Sequence, residues 1–361
     1  MGRIVLDARM AFYSPGGIGR YVRGLLWGFG AAGLRVTPAR ARKDRTIPGP
    51  ALFTPPHHPL DPWLVGLELM RLRPALVHSP DFIPPFTGSF RRVITIHDLA
   101  YLRWPEVLTP EAARYYRQVF RAVRVADRVI AVSKRTAADL VELAGADEAR
   151  VKVVYEAPMP DFRPLGAEAV RVWLRQAGLE PGYLLYVGTI EPRKDLPTLA
   201  RAYRILLGRY PGKVPPLVIA GGRGWLWAES VEALESIRPP SQVRWLGPVA
   251  PAELVYLYNG AAALVLPSLY EGFGLVVVEA MACGLPVVCS DGGALPEVTG
   301  NAARRFPVGD AEALAAALAE VLFDADLRRG LAERGLARAA EFSWVEAARQ
   351  TFKIYEDILG G

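Results

Sequence analysis

The sequence is poor in the residues that build metal centres and disulfide scaffolds. Its 361 residues include two cysteines, Cys283 and Cys289, and four histidines. The cysteines stand in an apolar stretch without metal-ligand spacing, so we expect two small buried side chains. No HExxH or comparable zinc motif occurs in the sequence. These absences argue against a zinc enzyme and against a disulfide-rich secreted domain.

Long hydrophobic runs and strongly one-sided charge are also lacking. Apolar runs such as AAALVLP at 261–267 are far shorter than the about 20 residues that a membrane-spanning helix needs. The start, MGRIVLDARMAF, lacks the layout of a signal peptide and predicts a first strand, so we expect a cytoplasmic protein. The formal charge of +6 permits an anionic partner. No nucleic-acid-binding motif accompanies it, so no nucleic acid is expected as a partner.

Short β-branched runs alternate with longer stretches of helical periodicity. This alternation predicts an α/β protein with parallel sheets covered by helices, and two series of strands predict two doubly wound, Rossmann-like domains. The first series is 3–7, 75–78, 93–96, 128–132 and 151–154; the second is 183–187, 216–220, 242–246, 263–267 and 287–290.

The domain boundary is predicted in the segment EAPMPDFRPLG, residues 156–166, because three prolines and a glycine there disfavour regular structure. We therefore divide the chain into residues 1–164, residues 165–341 and a final helix at 342–361. Ser343 and Glu346 have the spacing of a capping box at the start of that helix.

Ligands of doubly wound domains bind beyond the carboxyl ends of the strands, so the loops there are the candidate sites. After the first predicted strand, Pro15, Gly16 and Gly17 form a turn whose backbone could approach a phosphate. An ordinary tight turn explains it equally well. The loop is neither GxGxxG nor a Walker loop, which argues against a dehydrogenase or an epimerase.

The loop GTIEPRKDL follows the predicted strand at 183–187. Gly188 ends the strand, and Arg193 and Lys194 stand directly before a predicted helix. Two cations at a helix start oppose the helix dipole, at a cost of roughly 0.3–1 kcal/mol each. A bound polyanion would reverse this cost, and we prefer that interpretation to a solvated pair of charges.

The stretch LYEGFGLVVVEAMACGLP, residues 269–286, contains two carboxylates in an apolar setting. Glu271 lies in a glycine loop at the start of a predicted helix, and Glu279 lies inside that helix. An unpaired carboxylate in a core is costly, so we expect Glu279 to face a crevice and to accept hydrogen bonds from hydroxyls. The alternatives are a buried salt bridge for Glu279 and a helix-start charge for Glu271.

Together these segments resemble the retaining glycosyltransferases of family four, which have the GT-B fold of two Rossmann-like domains facing a central cleft. The resemblance extends over nearly the whole chain, and two pieces, GGIGR within PGGIGRYV and HDLAYLRWPE within ITIHDLAYLRWPE, are most similar to members called mannosyltransferases. The other matching segments are VSKRTAADL, VVYEAPMPDFRP, GTIEPRKD, GGRGW, LGPV, SLYEGFGLVVVEAMACGLPVV and GGALPE. Ala157 and Pro158 replace a frequent asparagine–glycine pair at a position that we interpret as structural.

The resemblance implies a role for each matching position. Glu279 would bind the nucleotide ribose, and Glu271 would hold the donor sugar and its phosphate with the amides of Gly272, Phe273, Gly274 and Leu275. Arg193 and Lys194 would neutralise the diphosphate, and His97 would lie near the transferred sugar. The remaining nucleotide-binding positions would be Gly16, Gly17, Gly188, Arg223 and Val249.

The implied reaction moves a hexose, with mannose favoured, from a nucleotide-diphosphate sugar to a hydroxyl acceptor, with retention and without a metal or other cofactor. GDP-mannose is the favoured donor. Residues 1–164 would bind the acceptor, residues 165–341 would bind the nucleotide sugar, and the last helix would cross back to the first domain. Another nucleotide-sugar enzyme and a non-catalytic sugar-nucleotide-binding protein remain alternatives.

The acceptor is not defined by any motif. Four arginines recur at helical spacing, and Trp63, Leu64, Leu67 and Met70 lie near Arg71 and Arg73. Such features could dock on an anionic membrane that carries the acceptor, at its inner face. A solvated helix face and an ordinary core helix are the alternatives. The four arginines are Arg114, Arg117, Arg121 and Arg124.

Overall fold

The computed structural model describes residues 2–14, 16–105 and 108–360. The chain forms two compact units: unit 1 comprises Met1–Ala157 and Ser343–Gly361, and unit 2 comprises Pro158–Phe342. The break between Ala157 and Pro158 lies inside the proline-rich segment 156–166. The last helix packs with unit 1 although it follows unit 2 in the sequence.

The described part of unit 1 contains a seven-stranded parallel sheet with the order β3-β2-β1-β4-β5-β6-β7. Because β2 and β3 lie on one side of β1 and β4 to β7 on the other, the strand order reverses between β1 and β4. The strands are β1 (Ile4–Asp7), β2 (Thr37–Ala41), β3 (Ala51–Leu52), β4 (Leu76–Ser79), β5 (Arg91–Ile96), β6 (Arg128–Ala131) and β7 (Val151–Val153).

Unit 2, as far as it is described, has a six-stranded parallel sheet with the order β10-β9-β8-β11-β12-β13. The order reverses between β8 and β11, as it does in doubly wound nucleotide-binding folds. The strands are β8 (Tyr183–Val187), β9 (Leu217–Ala220), β10 (Val243–Gly247), β11 (Ala261–Leu266), β12 (Val287–Ser290) and β13 (Ala303–Phe306). The prediction of two doubly wound α/β domains is confirmed.

Three strands were missed in the sequence, namely β2, β3 and β13. Their sequences are TPARA, AL and ARRF, which lack the apolar runs of central strands. β3 and β13 are the outermost strands of their sheets, and β2 joins β3 to β1. Backbone pairing with a neighbouring strand, rather than side-chain composition, therefore determines these three strands.

Helices cover the sheets, and short polar side chains cap several of them. Ser133, Asp195, Asp310 and Asp324 each accept a hydrogen bond from a first-turn amide of the helix that follows. The helices are α1 (Met10–Tyr13), α2 (Gly17–Ala31), α3 (Asp61–Met70), α4 (Ala100–Arg103), α5 (Pro110–Tyr116), α6 (Val119–Val125), α7 (Lys134–Ala144), α8 (Ala167–Gln176), α9 (Leu196–Arg209), α10 (Ala228–Glu235), α11 (Pro251–Gly260), α12 (Leu275–Ala282), α13 (Leu295–Thr299), α14 (Ala311–Phe323), α15 (Ala325–Ala339) and α16 (Trp344–Gly360).

Two smaller expectations are met in these elements. Cys283 and Cys289 are free and buried, as their apolar setting predicts. The backbone amide of Glu346 donates to Ser343 Oγ at 3.4 Å, which is one half of the predicted capping box. Glu106, in the segment ITIHDLAYLRWPE, and Pro15, in the first loop, lie outside the described residues.

Helix α16 packs closely against α2 within unit 1, at a contact that two glycines make possible. A Cβ atom on Gly24 would lie 2.2 Å from the indole ring of Trp344, and a Cβ atom on Gly28 would lie 2.1 Å from the Trp344 carbonyl oxygen. Trp344 is itself buried. The absence of side chains at these positions therefore allows the last helix to join unit 1.

We expect Gly28→Ala to destabilise unit 1, because its methyl group would overlap the backbone of α16. Overpacking of this kind costs roughly 1–3 kcal/mol. The matched control is Gly30→Ala on the same helix, where a Cβ atom meets nothing within 4 Å and helix propensity favours alanine. Urea denaturation followed by fluorescence would measure both variants. Equal midpoints for the two variants would contradict the proposed close packing.

Candidate functional site

The main polar cluster of unit 2 lies where its strand order reverses. The loop after β8 and the loop after β11 are neighbours because β8 and β11 pair directly. Parallel strands deliver both loops to the same edge of the sheet, which is where such folds bind their ligands. The backbone amide of Leu269, in the second loop, donates to the carbonyl of Arg193, in the first, at 2.8 Å.

Glu271 is the centre of this cluster and is only 7% exposed. Its Oε1 accepts hydrogen bonds from Lys194 Nζ at 2.6 Å and from Ser268 Oγ at 2.5 Å. Its Oε2 accepts from Arg193 Nη1 at 3.1 Å. A second carboxylate, Glu191, accepts from Arg193 Nη2 at 2.8 Å. The predicted carboxylate and both predicted cations thus form one buried ionic cluster.

The electrostatics of the cluster follow from these contacts. Burial alone would raise the pKa of Glu271, but the charges of Lys194 and Arg193 outweigh burial and lower the pKa to about 2. Arg193 and Lys194 lie in a 3₁₀ turn before α9, and Asp195 caps that helix. The charges of the two cations are therefore compensated by protein carboxylates. They are not a solvated pair, and they do not need a bound anion to neutralise them.

The loop that carries Glu271 forms backbone contacts with the segment GGALPE, residues 292–297. The amide of Ala294 donates to the Glu271 carbonyl at 2.8 Å. Gly293 has a φ of +64°, and a Cβ atom there would lie 2.2 Å from the same carbonyl oxygen. Arg193 Nη1 also donates to the Tyr270 carbonyl at 2.9 Å. These contacts fix the backbone that aims Glu271.

The glycines after Glu271 shape the start of α12. Gly274 adopts a φ of +92° and is the N-cap residue, and the helix begins at Leu275. Gly272 and Phe273 precede it in the loop. The Phe273 ring is buried and packs edge to face on Phe342, with 5.4 Å between ring centroids. Its side chain therefore anchors the loop, and only backbone groups of this segment remain candidates for ligand contact.

Glu279 lies in the second turn of α12 and is 1% exposed. Tyr258, on α11, donates its hydroxyl proton to Glu279 Oε2 at 3.0 Å. The expected hydroxyl donor is present, but it belongs to the protein, and the expected orientation toward an open crevice is not what the structure shows. The carboxylate lies in the core and not in a crevice, because residues on every side of α12, from Leu275 to Met281, are buried.

The remaining predicted positions of unit 2 lie on neighbouring loops. Gly188 follows β8 with a φ of +156°. Arg223 forms an isolated parallel bridge with Ile190, which joins the loop after β9 to the loop after β8. The Arg223 guanidinium lies over the rings of Trp227 at 4.2 Å and Trp245 at 4.9 Å. Val249 follows β10 and is half-buried.

In unit 1, Gly16 and Gly17 stand at the start of α2. Gly16 is the N-cap residue in an extended conformation, and among the residues that the structure describes a Cβ atom on Gly17 would meet nothing within 4 Å. Neither glycine has a positive φ, so a strained turn does not account for them. Gly19 differs, because its Cβ atom would lie 1.8 Å from the Ser14 carbonyl oxygen.

His97 follows β5 at the carboxyl edge of the unit 1 sheet. Its Nδ1 lies 3.0 Å from Glu156 Oε1, and its Nε2 lies 3.0 Å from the Pro80 carbonyl oxygen. Burial lowers the pKa of His97, but its contacts with Glu156, with the Pro80 carbonyl and with Asp81 outweigh burial, so the pKa lies above its usual range. Glu156 was not singled out in the sequence.

Other functional groups were also missed in the sequence. Glu191 and Ser268 have no signal of their own, because they become partners of Arg193 and Glu271 only in the folded chain. In unit 1, Arg9 is buried and pairs with Asp7 and with Asp61, each at 2.6 Å. A charged residue directly after an apolar strand, as in VLDAR, is the signal that could have found this cluster.

Comparison with known proteins relates this geometry to a family. The sequence profile of glycosyl transferases group 1 matches residues 175–338, and that of glycosyltransferase family 4 matches residues 15–157. O-antigen chain mannosyltransferase B of Escherichia coli is 34% identical over 287 residues, which are 78% of this chain and 74% of that protein. The chain belongs to the family-4 glycosyltransferases.

Two further proteins place this glycosyltransferase among its relatives. A D-inositol 3-phosphate glycosyltransferase of Nocardia farcinica is 36% identical over 303 residues, which are 79% of this chain and 66% of that protein. The crystal structure of Anabaena HepE with UDP and glucose has a TM-score of 0.79 and 20% identity, and the match covers 99% of this chain and 100% of that one. The fold is GT-B.

No described helix of this glycosyltransferase has the length and apolar character needed to cross a membrane.

The cluster around Glu271 predicts an acid-sensitive contribution to the stability of the glycosyltransferase. Because the pKa of Glu271 falls from its ordinary value of 4.5 to about 2 in the folded protein, its stabilisation is present above about pH 4.5. That stabilisation is lost as the pH falls toward 2. We expect Glu271→Gln to be less stable at neutral pH and to show a flatter decline in acid. Parallel declines of the two proteins in urea titrations between these pH values would contradict the ion pairing.

Proposed function

We propose that this glycosyltransferase transfers mannose from GDP-mannose to a hydroxyl acceptor, with retention of configuration and without a metal. The observation that carries the proposal is the buried cluster of Glu271, Arg193 and Lys194 at the point where the unit 2 strand order reverses. The relative that is named an O-antigen chain mannosyltransferase supports mannose. Unit 2 would bind the nucleotide sugar, and unit 1 would bind the acceptor.

The proposed chemistry uses fixed charges at a leaving diphosphate. As the bond between the sugar carbon and the phosphate oxygen breaks, the departing diphosphate gains negative charge. Arg193, Lys194 and the N-terminal end of α12 would stabilise that charge, and preorganised groups do this without reorganisation. In this proposal Lys194 and Arg193 donate to the diphosphate in addition to their present partners Glu271 and Glu191, and no metal takes part.

Glu271 would bind hydroxyls of the donor sugar rather than attack it. Its two oxygens already accept from Lys194, Arg193 and Ser268, which hold the carboxylate in one orientation. In the proposed route, the acceptor oxygen forms its bond on the face from which the diphosphate departs. The acceptor proton passes to the leaving phosphate oxygen, so no protein nucleophile is needed.

The nucleotide would lie along the neighbouring loops of unit 2. We assign the base to the loops that contain Gly188, Arg223 and Val249, since the bridge at Arg223 brings two of them together. Glu279 would accept the ribose hydroxyls after the side chains that cover it move, because the carboxylate is 1% exposed, and the ribose would then replace the present contact with Tyr258. Gly16 and Gly17 of unit 1 are proposed as phosphate contacts, because a Cβ atom on Gly17 would meet no atom of the described residues within 4 Å.

We expect GDP-mannose and GDP to raise the thermal midpoint of the protein more than UDP-glucose and UDP do. A ligand that binds only the folded state stabilises it by RT ln(1 + [L]/Kd), or about 2.7 kcal/mol at one hundred times Kd. Differential scanning fluorimetry at equal ligand concentrations measures this. A selective rise with uridine nucleotides would overturn the donor, and no response to any nucleotide would overturn the whole proposal.

A variant of Glu271 tests whether this residue takes part in the transfer reaction. Glu271→Gln is expected to lower sugar transfer by roughly 10²-fold, in line with the loss of one preorganised polar group, and full transfer activity would remove Glu271 from the reaction. Arg329→Gln, which breaks an exposed ion pair of the same unit, is the surface control.

Mannosides and inositol phosphates, the latter suggested by the Nocardia relative, are the acceptors to compare. Proton NMR of the product reports its anomeric configuration.

We also propose peripheral contact with an anionic membrane through the exposed face of α3. Trp63, Leu67 and Met70 are 40%, 49% and 41% exposed, so α3 is not an ordinary core helix. The Arg121 guanidinium lies 4.0 Å from the Phe86 ring centroid and 5.7 Å from that of Trp63. One member of the arginine series, Arg121, therefore lies next to the apolar face. Such a surface suits anionic lipid.

We expect the protein to float with vesicles that contain anionic lipid at low salt and to remain behind with neutral vesicles. The double variant Leu67→Glu and Met70→Glu should lose flotation, because it places negative charge on the apolar face. Val172→Glu, at an exposed position of unit 2, is the matched control. Absence of the wild-type protein from the floated anionic vesicles would overturn the membrane proposal and leave the transfer proposal standing.

A further inference from the structure

The hydrogen bonds of His97 determine the protonation of its ring. A backbone carbonyl oxygen can only accept, so Nε2, at 3.0 Å from the Pro80 oxygen, carries a proton. An ionised carboxylate can also only accept, so Nδ1, at 3.0 Å from Glu156 Oε1, carries a second proton. The ordinary pKa of imidazole exceeds that of a carboxyl group by about two units, so the shared proton resides on the ring. This geometry favours an imidazolium at His97.

The surroundings of the ring agree with a fixed cation. Its charged and titratable neighbours come from several elements: Glu156 after β7, Asp81 after β4, His78 in β4 and Tyr21 in α2. The two carboxylates favour the charged ring. The Tyr21 ring stands edge-on to it, at 4.8 Å and 84°, and its own hydroxyl is held by Thr95 at 3.0 Å. The buried Tyr21 therefore keeps the imidazole from turning.

The other buried histidine provides an internal contrast. The ring nitrogens of His78 face two hydroxyls, of Tyr355 at 2.6 Å and of Thr95 at 2.8 Å. A hydroxyl can donate or accept, so a neutral ring satisfies both contacts. Burial, followed by the charge of His97, lowers the pKa of His78 to about 3. Two histidines of the same unit are thus held in opposite charge states by the chemistry of their partners.

We propose that Glu156 is a positioning residue of the transfer reaction, which holds His97 as a non-rotating imidazolium at the carboxyl edge of the unit 1 sheet. Both N–H groups of the ring are engaged, so His97 acts through its charge and does not serve as a general base. The kinetic part of this inference rests on the proposed function, whereas the protonation state of His97 does not.

The first experiment is NMR of the full chain with labelled histidine, in which four side chains are observed and single variants assign them. We expect His97 of the wild type to stay doubly protonated to higher pH than an exposed histidine does. Glu156→Gln should lower the titration midpoint of His97, and Glu156→Asp should restore part of it. A wild-type His97 that titrates at or below the midpoint of an exposed histidine would overturn the proposal.

The second experiment is the pH profile of kcat/KM for sugar transfer. Because deprotonation removes the charge, the wild-type rate should fall only above the pKa of His97. Glu156→Gln should move this fall to lower pH by as many pH units as the NMR midpoint of His97 moves, with little loss near pH 6. Glu148→Gln, which removes an exposed carboxylate of unit 1 that takes no part in raising the pKa of His97, is the control. A loss that is uniform at every pH would indicate a structural role and overturn the inference.

The two experiments separate failure of this inference from failure of the proposed function. If no sugar is transferred from any donor, the NMR measurement still decides whether Glu156 holds the imidazolium. If transfer occurs and the NMR midpoint moves while the pH profile stays unchanged, the charge of His97 is not used in the reaction, which overturns the kinetic part of the inference. Near-UV circular dichroism of each variant shows whether it is folded.

Discussion

The ionic contact of Glu271 with Lys194 and Arg193 is the constraint on which the candidate site depends. A carboxylate that is almost completely buried is tolerated only when cations and hydrogen-bond donors surround it. Those groups come from the loop after β8, whereas Glu271 comes from the loop after β11. The two loops meet because the strand order reverses between these strands. The topology of unit 2 therefore brings together the opposite charges that balance each other in the site.

The same principle recurs in unit 1. Asp7 and Asp61 hold Arg9 at the carboxyl end of β1, and Glu156 holds His97 beside β5. In each case a buried charge has a partner from a different part of the chain. Such pairs contribute little net stability compared with apolar packing, but removal of one member leaves an uncompensated charge, which is strongly destabilising. We therefore expect the loss of either member of such a pair to destabilise the protein.

Buried groups of the same type are placed in different states by their partners. Glu271 is ionised by two cations, whereas Glu279, eight positions later, receives the hydroxyl of Tyr258. His97 faces acceptors and His78 faces hydroxyls. Family membership establishes that the protein is a glycosyltransferase. Within its site, the hydrogen-bond partners of a side chain determine whether that side chain carries a charge, as Glu271 does, or forms hydrogen bonds with hydroxyls, as His78 does.

The sequence alone determined the fold class and most of the candidate site. Alternating apolar runs indicated two doubly wound domains, and the spacing of glycines, cations and carboxylates located Arg193, Lys194 and Glu271, because these depend on local pattern. The strands β2, β3 and β13 could not be found this way, since pairing with a neighbour defines them. The burial of Glu279 and the pairing of His97 with Glu156, 59 positions away, were likewise decided by the tertiary structure. Contacts between segments that are distant in the sequence determine the burial and the charge state of these side chains. The local sequence pattern does not show which distant segments come into contact.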